Sequence, residues 1–333
     1  MFLEVLKINI EDEIKQEEYY LSEFKFERGD VLRGVKIEYG TFGTPEYDEK
    51  KHIKNAILYF HGSGGSFSSV KRINEICGPN LPIDTNKFFI ISLSALGSPE
   101  TSSPSTTGLK KNFPKYTLND MINIQKQFLY EKFKIKHLKG VIGNSMGGFE
   151  ALTLATQYPA YMDFTIALAT SYKNAGHNYI LSKLEKDILE SCNDFENKEE
   201  REKTLRILAK ALYSYGQTKA YYRELSNIEI ENEMEDFAEE CINDDPYDLL
   251  YRNKAIENYN IEKELAKIKS KLLIIGINND EYFPPELDAI PLNNIVKNSQ
   301  LLIINSLHGH LGSSELKQFK NEIDEFLKEF KSD

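Results

Sequence analysis

Apolar and polar positions alternate through residues 2–10, 19–26 and 32–39, with a turn at Gly29-Asp30 before the last run and Gly40 closing it. A period of two is the mark of a half-buried strand, so the chain is expected to open with antiparallel strands. From Asn55 the pattern changes. Short continuous apolar runs at 56–60, 88–93, 138–142, 164–169, 272–275 and 301–304 alternate with stretches of helical spacing. Runs that are apolar on both faces belong to buried parallel strands joined by crossover helices. One helix start is explicit: Thr117-Leu118-Asn119-Asp120 precedes Met121, Ile124 and Phe128 at helical spacing, a hydroxyl cap with an acid three residues on.

The strand rhythm stops between Ser171 and Lys267, where polar, Tyr-rich and acidic helical sequence takes over. The expectation is therefore an α/β fold with a mostly parallel central sheet flanked by helices. Its core occupies residues 1–171 and 267–333, interrupted once by a helical cap at 172–266. No solenoid repeat or low-complexity tract competes with that reading.

Composition narrows the function without supplying it. The 333 residues are 41% hydrophobic and 28% charged, ordinary values for a globular chain, and carry a formal charge of −11. That field repels phosphate backbones and anionic lipid surfaces, so neither nucleic acid nor membrane is an expected partner. Much of the acid lies in residues 185–202 and 229–248 and reads as a solvated helical face. The N-terminus has no secretory pattern, and no apolar run reaches membrane-spanning length. Cys77, Cys192 and Cys241 are odd in number, far apart and without metal-ligand spacing, which fits a reduced cytoplasmic protein with no metal site.

The chemistry concentrates at Val141-Ile142-Gly143-Asn144-Ser145-Met146-Gly147-Gly148, a G-x-S-x-G pentapeptide between an apolar strand and a helical run. A sharp strand-to-helix turn leaves little room for side chains around the serine, and the following helix aims its N-terminal amides at a developing oxyanion. A serine hydroxyl needs a histidine base, and the base needs an acid to fix its tautomer. Of the six histidines, at 52, 61, 137, 177, 308 and 310, only the last two follow a late strand. Gly309 and Gly312 suit an exposed loop tip and favour His310, with His308 as the alternative. Asp280, in the loop after the strand at 272–275, is the preferred acid, with Glu281 beside it as the competitor. The oxyanion amides are assigned to Met146 and to Ser63 in Phe60-His61-Gly62-Ser63-Gly64-Gly65, with His61 as a support for that loop. The same loop lacks the Lys-Ser/Thr ending of a phosphate cradle.

Several stretches resemble the α/β-hydrolase superfamily and, within it, the homoserine O-acetyltransferase-like group. They are Cys77-Gly78-Pro79-Asn80 with residues 83–91, Tyr116-Thr117-Leu118-Asn119-Asp120-Met121 with Gln125-Lys126, and Ser145-Met146-Gly147-Gly148 with Tyr158-Pro159. The resemblance covers about residues 32–171 and 265–330. It implies an α/β-hydrolase fold and puts nucleophile, acid and base on Ser145, Asp280 and His310. It also implies pairing of cap helices into a homodimer, and an arginine in the cap for an amino-acid carboxylate, for which Arg223 and Arg252 are the candidates. Two departures matter. The family's Gly-Ser-Thr-Gly-Pro stretch is replaced by Ser98-Pro99-Glu100-Thr101-Ser102-Ser103-Pro104-Ser105, and Leu311 stands where the family has an Asp after the base.

The expected function is a serine-dependent acyl-transfer enzyme working through a Ser145 acyl-enzyme and hydrolysing a small ester, thioester or amide. The alternative is an acyl-CoA-dependent O-acyltransferase, and a third reading is a non-catalytic ligand-binding protein on the same fold. No bound cofactor is expected, and acyl-CoA enters only as a substrate.

Overall fold

The computed structural model describes residues 14–331. The strand expected at 2–10 lies outside the described residues. Strand β1 (Lys15–Lys25) pairs antiparallel with β2 (Val31–Phe42), and β2 pairs antiparallel with a later strand of the main sheet. The next strands are β3 (Ala56–Phe60), the two-residue pair β4 (Cys77–Gly78) and β5 (Ile83–Asp84), and β6 (Phe89–Leu93). They are followed by β7 (Leu138–Asn144), β8 (Met162–Leu168), β9 (Lys271–Ile277) and β10 (Ser299–Ile304). The main sheet has eight strands in the order β1-β2-β6-β3-β7-β8-β9-β10, parallel from β6 onward. All six apolar runs seen in the sequence became strands of this sheet. The β4–β5 pair was not foreseen, because two residues are too few to show a period.

Both faces of the sheet are covered, which is why its strands read as unbroken apolar runs. Along β3, Leu58 and Phe60 face a core that includes Met121, Ile124 and Phe128 of helix α1 (Leu118–Phe133) and Phe149 of α2 (Met146–Gln157). Ile57 and Tyr59 face the opposite core, with Val70 and Ile73 and with residues near the C-terminus such as Ile323 and Phe326. Helix α1 starts where its cap predicts. The Thr117 hydroxyl accepts from Asp120 N at 3.2 Å and Asp120 Oδ2 accepts from Thr117 N at 2.9 Å. Asp120 is fully buried and its other oxygen takes the Glu27 amide at 2.8 Å, fastening α1 to the hairpin.

Between β8 and β9 the chain forms α3 (His177–Glu190), α4 (Lys198–Gly216), α5 (Lys219–Glu224), α6 (Asn227–Cys241) and α7 (Pro246–Ile256). Helices α3, α4 and α7 share a small apolar cluster of Leu189, Leu205, Leu208 and Leu250. Helix α8 (Ala289–Ile295) follows β9, and α9 (Lys320–Leu327) follows β10. Among the described residues no helix is long and apolar enough to cross a membrane.

Candidate functional site

Strand β7 ends at Asn144 and α2 begins at Met146, so the whole turn between strand and helix is Ser145. Its backbone sits at φ 56°, ψ −120°. A non-glycine residue rarely adopts such angles, and the surrounding structure must impose them. Here the Ser145 amide donates to Leu168 O of β8 at 2.9 Å, while its carbonyl accepts from Gly148 N and from the Thr170 hydroxyl, each at 2.8 Å. The flanking glycines are a steric necessity. A Cβ on Gly143 would lie 2.1 Å from the Gly147 carbonyl, and one on Gly147 would lie 2.3 Å from the Phe60 carbonyl. The helix is thereby pressed against the end of β3, and Ser145 is held up at the carboxyl edge of the sheet.

The other two groups arrive from the next two strands. After β9, Asn279 takes a left-handed conformation (φ 58°) and Asp280 turns back under the loop, 1% exposed. Its Oδ1 accepts the Tyr282 and Phe283 amides at 2.8 and 3.1 Å, which leaves Oδ2 to face His310 Nδ1 at 2.8 Å. After β10, His310 lies in a 3-10 turn (Gly309–Ser314), with Nε2 2.9 Å from Ser145 Oγ. Because the carboxylate can only accept, Nδ1 carries the proton and Nε2 is free to accept from the serine hydroxyl. The rings of Tyr282 and Phe283 cover the imidazole at 4.7 and 5.5 Å between centroids.

The neighbouring candidates are placed elsewhere. His308 is exposed, with Nδ1 3.2 Å from Gln217 Oε1 and its ring beside Tyr221 of α5. Glu281 pairs with Lys219 at 3.2 Å.

The loop after β3 borders the serine, since a Cβ on Gly62 would lie 3.4 Å from Ser145 Cβ. Ser63 is exposed and its amide is not taken up by any hydrogen bond among the described residues. Met146 opens α2, so its amide is one of those a helix cannot satisfy internally. His61 is 1% exposed. Its Nε2 accepts from Ala95 N at 2.9 Å, so Nδ1 holds the proton and donates to Gly62 O at 2.6 Å. Burial pulls its pKa down to about 4. It is a neutral brace between two loops.

The two arginines differ sharply. Arg223 is exposed on α5. Arg252 on α7 is only 7% exposed and forms no hydrogen bond or close ion pair among the described residues, although its charge is felt by His61, Glu100, Tyr116 and Glu185. Near it the Tyr116 hydroxyl and one Glu100 oxygen are buried without a hydrogen-bond partner among the described residues. Glu185 belongs to a stretch expected to be solvated. Instead it is half-buried on α3, and burial pushes its carboxyl up to about 7 against the lowering effect of Arg252. Asp248, in the second acidic stretch, is 1% exposed and accepts from the Ser103 hydroxyl, the Ser105 amide and the Ser105 hydroxyl. The Ser-rich loop at 98–105 is thus tied to α7. An acid on an amphipathic helix gives no sequence signal of such burial, because it depends on where the helix docks.

The arrangement can carry out nucleophilic acyl chemistry: a serine, a base with its tautomer fixed, and free amides beside them. Comparison with known proteins agrees with that chemistry. The profile of the alpha/beta hydrolase fold family matches residues 55–312. The chain is 40% identical over 316 residues to a probable acyltransferase of Methanothermobacter thermautotrophicus, covering 95% of this chain and 98% of that one. It is 27% identical over 354 aligned positions to the homoserine O-acetyltransferase of Nautilia profundicola, covering 91% and 95%. Among solved structures, an acetylester hydrolase from Corynebacterium glutamicum superposes with a TM-score of 0.82 over 96% of each chain at 23% identity, a likeness of fold. With its profile match and its similarity to acyl-transferring enzymes, the chain belongs to the α/β-hydrolase fold family, as an enzyme resembling the homoserine O-acetyltransferase-like group.

Proposed function

We propose that this enzyme works through a Ser145 acyl-enzyme and hydrolyses a small ester, thioester or amide. The observation that carries the reading is the unbroken relay of Asp280 Oδ2, His310 and Ser145 Oγ at 2.8 and 2.9 Å. His310 Nε2 takes the serine proton as Oγ attacks the acyl carbonyl. The tetrahedral oxyanion is held by the amides of Met146 and Ser63, and Asp280 steadies the imidazolium. The proton then passes from His310 to the leaving group, and the acyl group stays on Ser145. Water, deprotonated by the same nitrogen, attacks the acyl-enzyme, and collapse of the second tetrahedral intermediate frees the acid and restores the serine. Ser145 and His310 are both partly open to solvent, so water has access to the acyl-enzyme.

The buried Arg252, whose guanidinium forms no hydrogen bond among the described residues, favours a substrate with an anionic group such as a carboxylate, since buried donors left unfilled are costly until an anion meets them. Exposed Arg223 has no part in this scheme. A second reading, transfer from acyl-CoA to a hydroxyl acceptor, is favoured by the 40% identity to a probable acyltransferase. Turnover of p-nitrophenyl acetate is expected in the wild type and lost in Ser145→Ala; equal turnover in the variant refutes the serine mechanism. Release of CoA from acyl-CoA without any added alcohol supports hydrolysis, whereas strict dependence on an added hydroxyl compound supports transfer.

A further inference from the structure

The nucleophile and the acid are held by the sheet, but the loop that carries the base leans on the helical insertion. The bend between α4 and α5 touches that loop at successive points. Thr218 is 1% exposed; its hydroxyl donates to Leu307 O at 2.6 Å and accepts from Tyr221 N at 3.0 Å, so its hydrogen-bonding capacity is spent on both sides of the contact. Gln217 Oε1 meets His308 Nδ1 at 3.2 Å. Gly309 has φ +50°, and a Cβ there would stand 3.1 Å from Thr218 N and 3.2 Å from Gln217 C. The two backbones are therefore in contact one residue before His310. The same part of the insertion also reaches the acid loop, through Lys219 to Glu281 at 3.2 Å and through the Tyr282 hydroxyl to Leu212 O at 3.3 Å.

We infer that Thr218 is a positioning residue for the base: by clasping Leu307 and seating Gly309, the α4–α5 bend holds His310 at hydrogen-bond distance from Ser145. This rests on the serine mechanism proposed above. The α4–α5 bend and the base are then one mechanical unit, so docking of the insertion and assembly of the Ser-His-Asp relay are one event. Reaction rates are steep in such placement, since a displacement of about 1 Å at a reacting group can cost on the order of 100-fold. A bulky acyl group held at Ser145 is not required for the effect, because the clasp touches protein and not substrate.

The test measures kcat and KM separately with p-nitrophenyl acetate, and the labelling rate of Ser145 with a fluorophosphonate. Thr218→Val, which keeps the shape and removes the hydroxyl, is expected to lower kcat and the labelling rate by roughly 10- to 100-fold with KM changed less than about twofold. Thr218→Ser, which restores the donor, is expected to recover most of both. Should Thr218→Val fail to fold, Gln217→Ala leaves Thr218 in place and releases His308, and a drop in kcat of a few fold at constant KM is expected. Wild-type kcat and labelling in whichever of these variants folds overturns the positioning role. So does a loss confined to thermal stability. If Ser145→Ala retains turnover, the serine mechanism itself has failed; if Ser145→Ala is inactive while Thr218→Val is not, only the clasp has.

Discussion

Glu150 sits five residues after Ser145 on α2, fully buried, with one oxygen accepting from Gln125 Nε2 and the other without a partner among the described residues. Burial pushes its pKa from 4.5 up to about 8. Below pH 4.5 folded and unfolded chains both hold this proton. Between 4.5 and 8 only the folded chain does, so unfolding releases it and stability falls as pH rises, by about 1.4 kcal/mol per pH unit. Above 8 the loss is complete and amounts to about 5 kcal/mol, the work of ionising a carboxyl among apolar side chains. Glu150→Gln keeps the size and the acceptor for Gln125 and removes the proton. Between pH 5.5 and 7.5 the wild type should lose about 3 kcal/mol relative to the variant, which for a chain of this length is a difference of roughly 4 °C in how far Tm drops. Thermal unfolding followed by circular dichroism at the two pH values measures this directly, and comparing the two proteins cancels every other titrating group. Parallel Tm-against-pH curves would show that Glu150 is ionised in the folded chain and refute the reasoning. The result also bears on activity, because a rate that decays as pH rises toward 8 through loss of the fold would otherwise be read as titration at His310 or its neighbours.

Two further substitutions separate the parts of the site. Asp280→Asn can donate as well as accept, so it releases the hold on the His310 tautomer; kcat for p-nitrophenyl acetate should fall by about 1,000- to 10,000-fold with thermal stability little changed, and a loss under tenfold would place the relay's acid elsewhere. Arg252→Met removes a buried cation that has no hydrogen-bond partner or close ion pair among the described residues, so Tm should rise, on the order of 1 kcal/mol of added stability, while kcat/KM for a carboxylate-bearing ester falls about 10- to 100-fold relative to a neutral ester of similar size. Equal losses on both esters would show that the guanidinium does not meet the substrate's charge.

What the sequence made legible was set by local rules. Six buried strands announced themselves as apolar runs, and the elbow could be read because a helix pressed on a strand end excludes side chains at Gly143 and Gly147 whatever the rest of the chain does. The choice between His308 and His310 was of another kind. Both stand beside Gly309, and composition alone ranks them only weakly. What separates them is the left-handed φ of that glycine, which turns the chain so that His308 faces Gln217 and Tyr221 while His310 faces Asp280 and Ser145. The insertion was the least legible part. Asp248 and Glu185 look like surface acids on amphipathic helices until those helices dock against the 98–105 loop and the site, a long-range event that no local period encodes.

The division of labour within the site follows from the same physics. Ser145 is held in a strained conformation by partners in the sheet and the segment after it, Leu168 and Thr170, and Asp280 is locked by amides of its own loop. Neither side chain is hydrogen-bonded to the inserted helices among the described residues, although those helices touch the acid's loop at Glu281 and Tyr282. His310 depends on them, through Gln217 and Thr218, and so does the polar region around Arg252 and Glu185, since those residues are themselves on inserted helices. A change at the α4–α5 bend would therefore also move the support of the base. Hydrolysis and transfer would then differ not in the nucleophile but in how the insertion seats His310 and what it admits beside the acyl-enzyme, water or an alcohol.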